Sequence, residues 1–246
     1  MLIYNIDKIN SILKILLHEK GGISYLIHNS ASIASFNILI GVSKFIPELE
    51  CIIDVGANIG QFALAANKFY PNATIHSFEP VPSSFKTLVK NVKNTPNVNI
   101  YNVALGDISD NISFYQNAHS HASSVLEVSN FQKSSVPKTK SFHKIEVQCW
   151  RLDDFSFKIP IKGSALLKLD VQGFEKNVLI GAQKLLAQID YIVLETSFIS
   201  MYKNEPLFDE MHSFLKTLGF VLIAPIGIVP SENFVFPQLD MLYKKA

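Results

Sequence analysis

Apolar residues recur along the chain in two patterns, one helical and one typical of buried strands. From Ile6 to Leu17 they are spaced three and four residues apart, which predicts an amphipathic helix. From Glu50 onward, short continuous apolar runs alternate with helical segments, which predicts a doubly wound, mostly parallel α/β sheet with right-handed crossovers. The predicted strands of this sheet are 51–55, 74–78, 98–104, 165–170 and 191–195, and the predicted helices are 61–69, 83–92, 174–186 and 207–218.

The beginning and the middle of the chain depart from this alternation. Residues 1–48 precede the first strong strand and predict a helical appendage, which is either a cover for the sheet or a lid over a site. Residues 49–246 then form one Rossmann-like domain. Its alternation is interrupted at about 106–157 by an insertion of short strands and polar loop, in which 130–144 is expected to be a mobile loop.

The last two predicted strands, 220–224 and 241–244, have no helix between them. We therefore expect an antiparallel C-terminal hairpin, because a parallel return needs a crossover of about a dozen residues. The longest apolar stretch outside the N-terminus reaches about half of the ~20 residues that a membrane-spanning helix needs. Charged residues interrupt the N-terminal apolar segment, which lacks a small-residue cleavage site. The expectation is a cytoplasmic protein with no membrane span.

Composition narrows the possible ligands. The 246 residues suit one large domain, and 48% apolar with 17% charged residues is typical of a folded globular chain. The formal net charge is +1, and Arg151 is the only arginine, so nucleic acid is not expected as a partner. Cys51 and Cys149 lie in apolar runs and are interpreted as small core residues rather than metal ligands.

The segment Asp54–Gly60, with the sequence Asp-Val-Gly-Ala-Asn-Ile-Gly, lies where the first predicted strand turns into a helix. Glycine at such a turn lets the backbone approach a ligand, and the helix that follows presents unpaired N–H groups to it. Glu79 ends the second predicted strand, where folds of this kind hold ribose hydroxyls with a carboxylate. A tight turn without a ligand would leave both acids without partners, so the pair indicates a nucleoside-containing ligand.

The spacing of the glycines helps to separate the possible nucleosides. Dinucleotide sites use Gly-x-Gly-x-x-Gly against a pyrophosphate, whereas here three residues separate Gly56 from Gly60 and position 58 is asparagine. Asp54 would also face the bound group, and a carboxylate repels phosphate but attracts an ammonium such as that of a methionyl group. These features favour S-adenosylmethionine.

Four sequence blocks combine these features with further motifs. They are 53–62 (Ile-Asp-Val-Gly-Ala-Asn-Ile-Gly-Gln-Phe), 78–82 (Phe-Glu-Pro-Val-Pro), 104–107 (Ala-Leu-Gly-Asp) and 167–175 (Leu-Lys-Leu-Asp-Val-Gln-Gly-Phe-Glu), the last followed by Val-Leu-Ile-Gly-Ala at 178–182. On these blocks, which lie within about 51–197, the chain resembles FkbM-type methyltransferases. The resemblance implies a class I methyltransferase sheet, S-adenosylmethionine as methyl donor, and usually O-methylation of a sugar, glycan or natural-product hydroxyl.

The resemblance also suggests how a cofactor would lie. It implies that Asp107 is a candidate for the adenine amino group, and that the glycine turn lines the methionyl side. Together with the motif spacing, it gives a set of candidate residues at the ends of the first three strands. The candidate cofactor-binding residues are Asp54, Gly56, Ala57, Asn58, Gly60, Glu79, Pro80 and Asp107.

Two strand-end carboxylates are candidates for the chemistry of methyl transfer. Asp170 ends the fourth predicted strand, at the point where a doubly wound sheet opens a ligand crevice, and we expect it to act as a base or positioning acid or else to shape a turn. Glu195 ends the fifth strand. The two carboxylates could share a divalent cation, since carboxylate oxygens are suitable hard ligands.

Basic residues complete the catalytic hypotheses. Lys168 lies inside an apolar strand, so we expect it to pair with a carboxylate such as Asp54 or Glu195 and to orient the site. His119 and His121 lie in the insertion, where either could be a general base or simply a solvated loop residue. The alternatives to a methyltransferase are a nicotinamide-dependent oxidoreductase and a nucleoside-binding module without turnover. In the leading interpretation, the partner is a small-molecule or glycan acceptor.

Overall fold

The computed structural model describes residues 2–27, 31–118, 120–228 and 237–246. Its helices lie on both faces of a central sheet and are named in chain order. They are α1 (Leu2–Leu17), α2 (Ile23–Leu26), α3 (Ile33–Ser43), α4 (Gln61–Phe69), α5 (Pro82–Val92), α6 (Asn130–Ser135), α7 (Leu152–Phe155), α8 (Glu175–Ile180) and α9 (Phe208–Thr217), with short 3₁₀ turns at Ser120–Ala122, Pro137–Lys140, Ser156–Lys158 and Leu185–Gln188.

The strands form two sheets. They are β1 (Cys51–Val55), β2 (Thr74–Phe78), β3 (Val98–Tyr101), β4 (Ala104–Leu105), β5 (Asp110–Asn117), β6 (Phe142–Trp150), β7 (Ala165–Leu169), β8 (Tyr191–Ser197), β9 (Phe220–Ile228) and β10 (Gln238–Lys245). The larger sheet has the order β3-β2-β1-β7-β8-β10-β9, and the smaller one has the order β4-β6-β5. The larger sheet is parallel except for β10, which runs antiparallel to both of its neighbours.

This order confirms the predicted class I methyltransferase sheet with an antiparallel C-terminal pair. The two strands at its centre, β1 and β7, are buried along their whole length, which explains why they read as continuous apolar runs. Neighbouring side chains on a strand point to opposite faces. Ile53 and Leu167 therefore belong to one core cluster, and Ile52 and Leu166 belong to another.

The second of these clusters includes residues from the N-terminal helices. Ile15 of α1 and Phe36 and Leu39 of α3 are fully buried against α4 and the sheet. The division of the chain at residue 48 remains a prediction. Within the described part of the chain, no helix combines the length and the apolar character that crossing a bilayer requires. Cys51 and Cys149 are buried free thiols, as expected for core residues.

Three sequence predictions about element boundaries were wrong. The predicted strand 98–104 is divided between the two sheets, because the Asn102 side chain turns back to donate hydrogen bonds to the carbonyl oxygens of Glu79 and Pro80, at 2.8 and 3.0 Å. The predicted loop at 130–144 contains α6, a 3₁₀ turn and the start of β6, and the Ser129 hydroxyl caps α6. The predicted helix 174–186 stops at Ile180.

The early end of α8 has a packing reason. A Cβ atom on Gly181 would lie 1.8 Å from the carbonyl oxygen of Gly106, so the chain passes against the loop after β4 at this point. The Gly181 carbonyl also accepts a hydrogen bond from the Asp153 amide at 2.9 Å. These two contacts join the end of α8 to both ends of the insertion, and periodicity within one segment does not reveal them.

Candidate active site

The turn after β1 depends on two glycines. Gly56 has φ +81°, and a Cβ atom there would lie 1.9 Å from the carbonyl oxygen of Asp170. Gly60 has φ +89° and begins α4, where a Cβ atom would lie 2.7 Å from a methyl carbon of Leu88. Both positions require a backbone conformation and a close approach that only glycine permits without strain. The loop between them can therefore lie flat against the edge of the sheet.

Glu79 connects this loop to the next one. Its Oε2 accepts a hydrogen bond from the Asn58 amide, and its Oε1 accepts one from the Val81 amide, both at 2.8 Å. The residue is only 6% exposed. Burial raises the pKa of the Glu79 carboxyl to about 7, although the two backbone hydrogen bonds oppose the shift. Each carboxylate oxygen has a second lone pair, which can accept a hydrogen bond from a ligand.

A cavity lies at the carboxyl edge of the sheet beside this carboxylate. Its volume is about 620 Å³, which includes the solvent-filled space at its mouth. The ends of β1, β2 and β7 supply one side, and the insertion supplies the other. Six of the residues predicted from the sequence line it. These are Gly56, Asn58, Glu79, Pro80, Asp170 and His121. The other predicted residues, Asp54, Ala57, Gly60, Lys168, Glu195 and Asp107, do not line it.

Asp54 lies outside the cavity lining, and its contact with a ligand stays a prediction. Its side chain has 0% exposure, and its Oδ1 lies 3.1 Å from the Lys168 Nζ, with which it shares a register position on neighbouring strands. The predicted ion pair of Lys168 is therefore present. Burial alone would lower the pKa of Lys168, but the carboxylates of Asp54 and Asp170 raise it above its usual range, so the side chain is an ammonium.

This ammonium lies directly beneath the glycine turn. The Lys168 Nζ donates a hydrogen bond to the carbonyl oxygen of Gly56 at 3.3 Å and lies 3.6 Å from the Asp170 Oδ2. It also lies 5.3 Å from the centre of the Phe62 ring. Lys168 thus holds the ends of β1 and β7 in a fixed relation to each other, and it supports the cavity from below.

Asp107 also lies outside the cavity lining, and its contact with adenine stays a prediction. The residue follows β4 in the loop that carries Gly106, and its carboxylate acts on the buried Cys149 thiol, whose pKa is raised mainly by burial and further by this charge. In place of an acid, apolar side chains line this end of the cavity. They are Val103, Leu105, Phe174 and, from the end of β2, Phe78.

The structure does not support a cation shared by Asp170 and Glu195. The Gln172 amide nitrogen lies between the two carboxylates and donates to Asp170 Oδ1 at 2.7 Å and to Glu195 Oε2 at 3.1 Å. It occupies the position that such an ion would need. Among the residues that the structure describes, no group of three or more acidic, histidine or cysteine side chains is arranged to hold a metal.

Glu195 lies behind the cavity wall. Its Oε2 also accepts a hydrogen bond from Gln238 at 2.9 Å, and on the neighbouring strand it pairs in register with Asp240. Burial, and then repulsion from Asp170 and Asp240, raises the pKa of Glu195 well above its ordinary value. Burial raises the pKa of Asp240 to about 7. Glu195 and Asp240 together therefore carry less negative charge than two fully ionised carboxylates would.

His121 reaches the cavity from the insertion. The Asn58 Nδ2 lies 3.3 Å from the His121 Nδ1 and 3.4 Å from the Ser120 hydroxyl, which joins the 3₁₀ turn to the glycine loop. His119 lies outside the described residues. The Asn58 Oδ1 is buried and, among the described residues, has no hydrogen-bond partner, so it can accept a hydrogen bond from a ligand.

Sequence reasoning missed several residues that line the cavity. Gln172 lies in the block at 167–175, but the sequence predicted no role for it. Its hydrogen bonds to the acids at the ends of β7 and β8 depend on tertiary structure. Phe114, Ser123 and Val125 come from the insertion, where no motif marked them. The sequence indicated these three residues only weakly. Alternating apolar and polar positions predict a short strand, but they do not show which edge of the larger sheet that strand packs against. Glu175, the last residue of the same block, does not line the cavity and accepts hydrogen bonds from the Val171 and Gly173 amides at 2.9 and 3.3 Å.

Several known proteins similar to this chain are named as methyltransferases. It is 29% identical to Methyltransferase 1 of Beauveria bassiana over 79% of this chain and 80% of that protein. It is 23% identical to the 2-O-methyltransferase NoeI of Sinorhizobium fredii, over 72% and 75% of the two chains. It is 26% identical to the 31-O-demethyl-FK506 methyltransferase FkbM of Streptomyces tacrolimicus, over 71% and 74%.

A family model covers the same region. The model of the methyltransferase FkbM domain matches residues 54–222, which is more than half of the chain and includes the glycine turn, Glu79, the insertion and Asp170. This match agrees with the resemblance carried by the sequence blocks, and it favours methyl transfer over the nicotinamide-dependent alternative. The chain belongs to the FkbM methyltransferase family.

Proposed function

We propose that this protein is an S-adenosylmethionine-dependent O-methyltransferase acting on a hydroxyl of a sugar, glycan or natural product. One observation carries the proposal: a single cavity brings together the glycine turn, the Glu79 carboxylate and the strand-end acid Asp170. Two relatives, named as a 2-O-methyltransferase and a 31-O-demethyl-FK506 methyltransferase, support O-methylation.

The residues of the cavity fit the methyl donor. Ribose hydroxyls are donors, and the lone pairs of Glu79 that the backbone leaves available are acceptors. The apolar group around Leu105 and Phe174 suits the faces of an adenine ring. The buried Oδ1 of Asn58 can accept a hydrogen bond from the ammonium of the methionyl group, the contact that the sequence had predicted for Asp54. When bound, S-adenosylmethionine supplies an electrophilic methyl group.

The chain's own task is then to place an acceptor oxygen and remove its proton. Asp170 is suited to this task because its side chain is 40% exposed and lines the cavity at the end of β7. With the donor bound, the bond between its methyl carbon and sulfur would break as the acceptor oxygen bonds to that carbon, leaving the neutral thioether S-adenosylhomocysteine. The Asp170 carboxylate would take the hydroxyl proton. His121, on the opposite wall, can hold the acceptor or accept the proton in turn. The insertion bounds the acceptor side through Phe114 and Val125.

Two measurements test this function. Isothermal titration calorimetry with S-adenosylhomocysteine and with NAD⁺ is expected to show binding of the first alone, and binding of NAD⁺ alone would overturn the proposal. Methyl transfer is then measured with radiolabelled S-adenosylmethionine and a panel of neutral methyl glycosides and macrolide aglycones. Binding of S-adenosylhomocysteine with no transfer to any acceptor would support the nucleoside-binding module instead.

A further inference from the structure

Gln172 is held in an unusual backbone conformation by a set of polar contacts. Its φ of +58° lies in the left-handed region, which disfavours a side chain. The Ser124 hydroxyl donates a hydrogen bond to its carbonyl oxygen at 2.7 Å, and the buried Tyr202 hydroxyl donates one to its Oε1 at 2.6 Å. Strain of this kind persists only where the surroundings fix it, and it is concentrated at functional sites.

These contacts determine which way the amide points. Because Oε1 accepts from Tyr202, the two hydrogens of Nε2 face the other way, toward Asp170 Oδ1 at 2.7 Å and Glu195 Oε2 at 3.1 Å. A neutral side chain thus supplies one donor to each of two acids. Without the donor at 2.7 Å, the Asp170 Oδ1 would lose its hydrogen bond to Gln172, and the partly exposed carboxylate could rotate away from the cavity.

The second oxygen of Asp170 is less firmly held. Its Oδ2 lies 3.6 Å from the Lys168 Nζ, and that ammonium is already closer to Asp54 and to the Gly56 carbonyl. The short hydrogen bond from Gln172 is therefore the stronger restraint on the Asp170 side chain. With one oxygen tied to Gln172, the remaining acceptor capacity of the carboxylate is available to the cavity.

We infer that Gln172 is a positioning residue that acts through Asp170, holding its carboxylate toward the point where the methyl group meets the acceptor oxygen. The inference rests on the proposed function, because it assumes that S-adenosylmethionine occupies the cavity. Gln172 does not transfer a proton. It fixes the orientation of the Asp170 carboxylate. Gln172 is itself held by the hydroxyl of Tyr202, which lies in the loop after β8.

A pair of known ligands can measure this charge without an acceptor. S-adenosylhomocysteine has a neutral sulfur at the reacting position, whereas sinefungin has a carbon bearing a primary ammonium there. All other groups of the two ligands are the same. The ratio of their dissociation constants therefore reports the negative charge that the protein presents at this position. A general disturbance of the cavity would weaken both ligands and leave the ratio unchanged.

The wild-type protein is expected to bind sinefungin about tenfold or more tightly than S-adenosylhomocysteine, as a charge-assisted hydrogen bond would give. Asp170→Asn removes the charge and should abolish the preference. Gln172→Leu removes both donors at similar volume and should reduce the ratio by about threefold or more. Tyr202→Phe, which removes only the hydroxyl that holds Oε1, should change the ratio in the same direction and provides a second test if Gln172→Leu does not fold.

A matched control is Gln116→Leu, since Gln116 lies on β5, bonds to Ser83 and does not line the cavity. This variant should keep the wild-type ratio. If wild type binds S-adenosylhomocysteine but shows no preference for sinefungin, or if Gln172→Leu and Tyr202→Phe both keep the wild-type ratio, the inference is wrong and the proposed function stands. If wild type binds neither compound, the proposed function is wrong, and the inference, which rests on it, is wrong as well.

Discussion

Glu79→Gln separates the two roles of the carboxylate that joins the loops after β1 and β2. Both oxygens accept a backbone N–H at 2.8 Å. A glutamine can accept only one of these hydrogen bonds, because its amino group would face the other N–H as a second donor. We expect the free energy of unfolding to fall by about 1–3 kcal/mol, the cost of one buried unsatisfied donor. For a chain of this length, that lowers Tm by roughly 2–4 °C per kcal/mol.

The same variant should weaken binding of S-adenosylhomocysteine by about 10- to 100-fold. A hydrogen bond to a charged acceptor contributes about 1.5–3 kcal/mol, and the neutral amide loses this contribution to the ribose hydroxyls. In wild type, binding should also depend on pH. Because burial raises the pKa of Glu79 to about 7, its ionised fraction falls about tenfold between pH 8 and pH 6, and affinity should fall with it.

The effect of this pKa on stability has the opposite sign. The ordinary value for glutamate is 4.5, and the folded-state value is about 7, so folding favours the protonated form. The contribution of Glu79 to stability is therefore complete below about pH 4.5 and is lost as the pH rises through 7. Lowering the pH from 8 to 6 should weaken ligand binding while this residue's contribution to the stability of the unliganded protein increases.

Calorimetric titration of S-adenosylhomocysteine at pH 6, 7 and 8 tests the argument. The pH dependence should disappear in Glu79→Gln. Asp240→Asn is the control, because burial also raises the pKa of Asp240 to about 7 but the residue does not line the cavity. Equal wild-type affinities at pH 6 and pH 8, or the same pH dependence in Glu79→Gln, would refute the assignment of Glu79 to the ribose.

Three further predictions concern the surroundings of the site. Lys168→Met leaves Asp54 buried without its ammonium and should lower the free energy of unfolding by about 3–5 kcal/mol in urea denaturation, with partial recovery when Asp54→Asn is added. Gly56→Ala places a Cβ atom against the Asp170 carbonyl at positive φ, so we expect a cost of about 1–3 kcal/mol in thermal unfolding and loss of S-adenosylhomocysteine binding. Asp107→Ala should leave that binding unchanged in calorimetry, and a clear loss of affinity would restore the adenine role.

The pattern of apolar residues determined most of the secondary structure and the fold class. Continuous apolar runs such as 51–55 and 165–169 are buried on both faces of the sheet, so their hydrophobicity alone identified them as buried strands. The glycines at 56 and 60 marked the cofactor turn, because no other residue tolerates those backbone angles with such close neighbours. The missing helix before the last strand likewise predicted the antiparallel pair.

Other features were decided only when distant segments met. Whether an acid faces a ligand depends on the direction of its side chain and on its partners across the sheet. For this reason Asp54 and Lys168 became a buried ion pair, while Asp170, which directly follows the last residue of β7, faces the cavity. Gln172 acquired its four polar contacts from segments up to 48 residues away along the chain. Local sequence sets backbone preference and burial, whereas hydrogen-bond partners and charge pairs follow from how the strands are ordered in space.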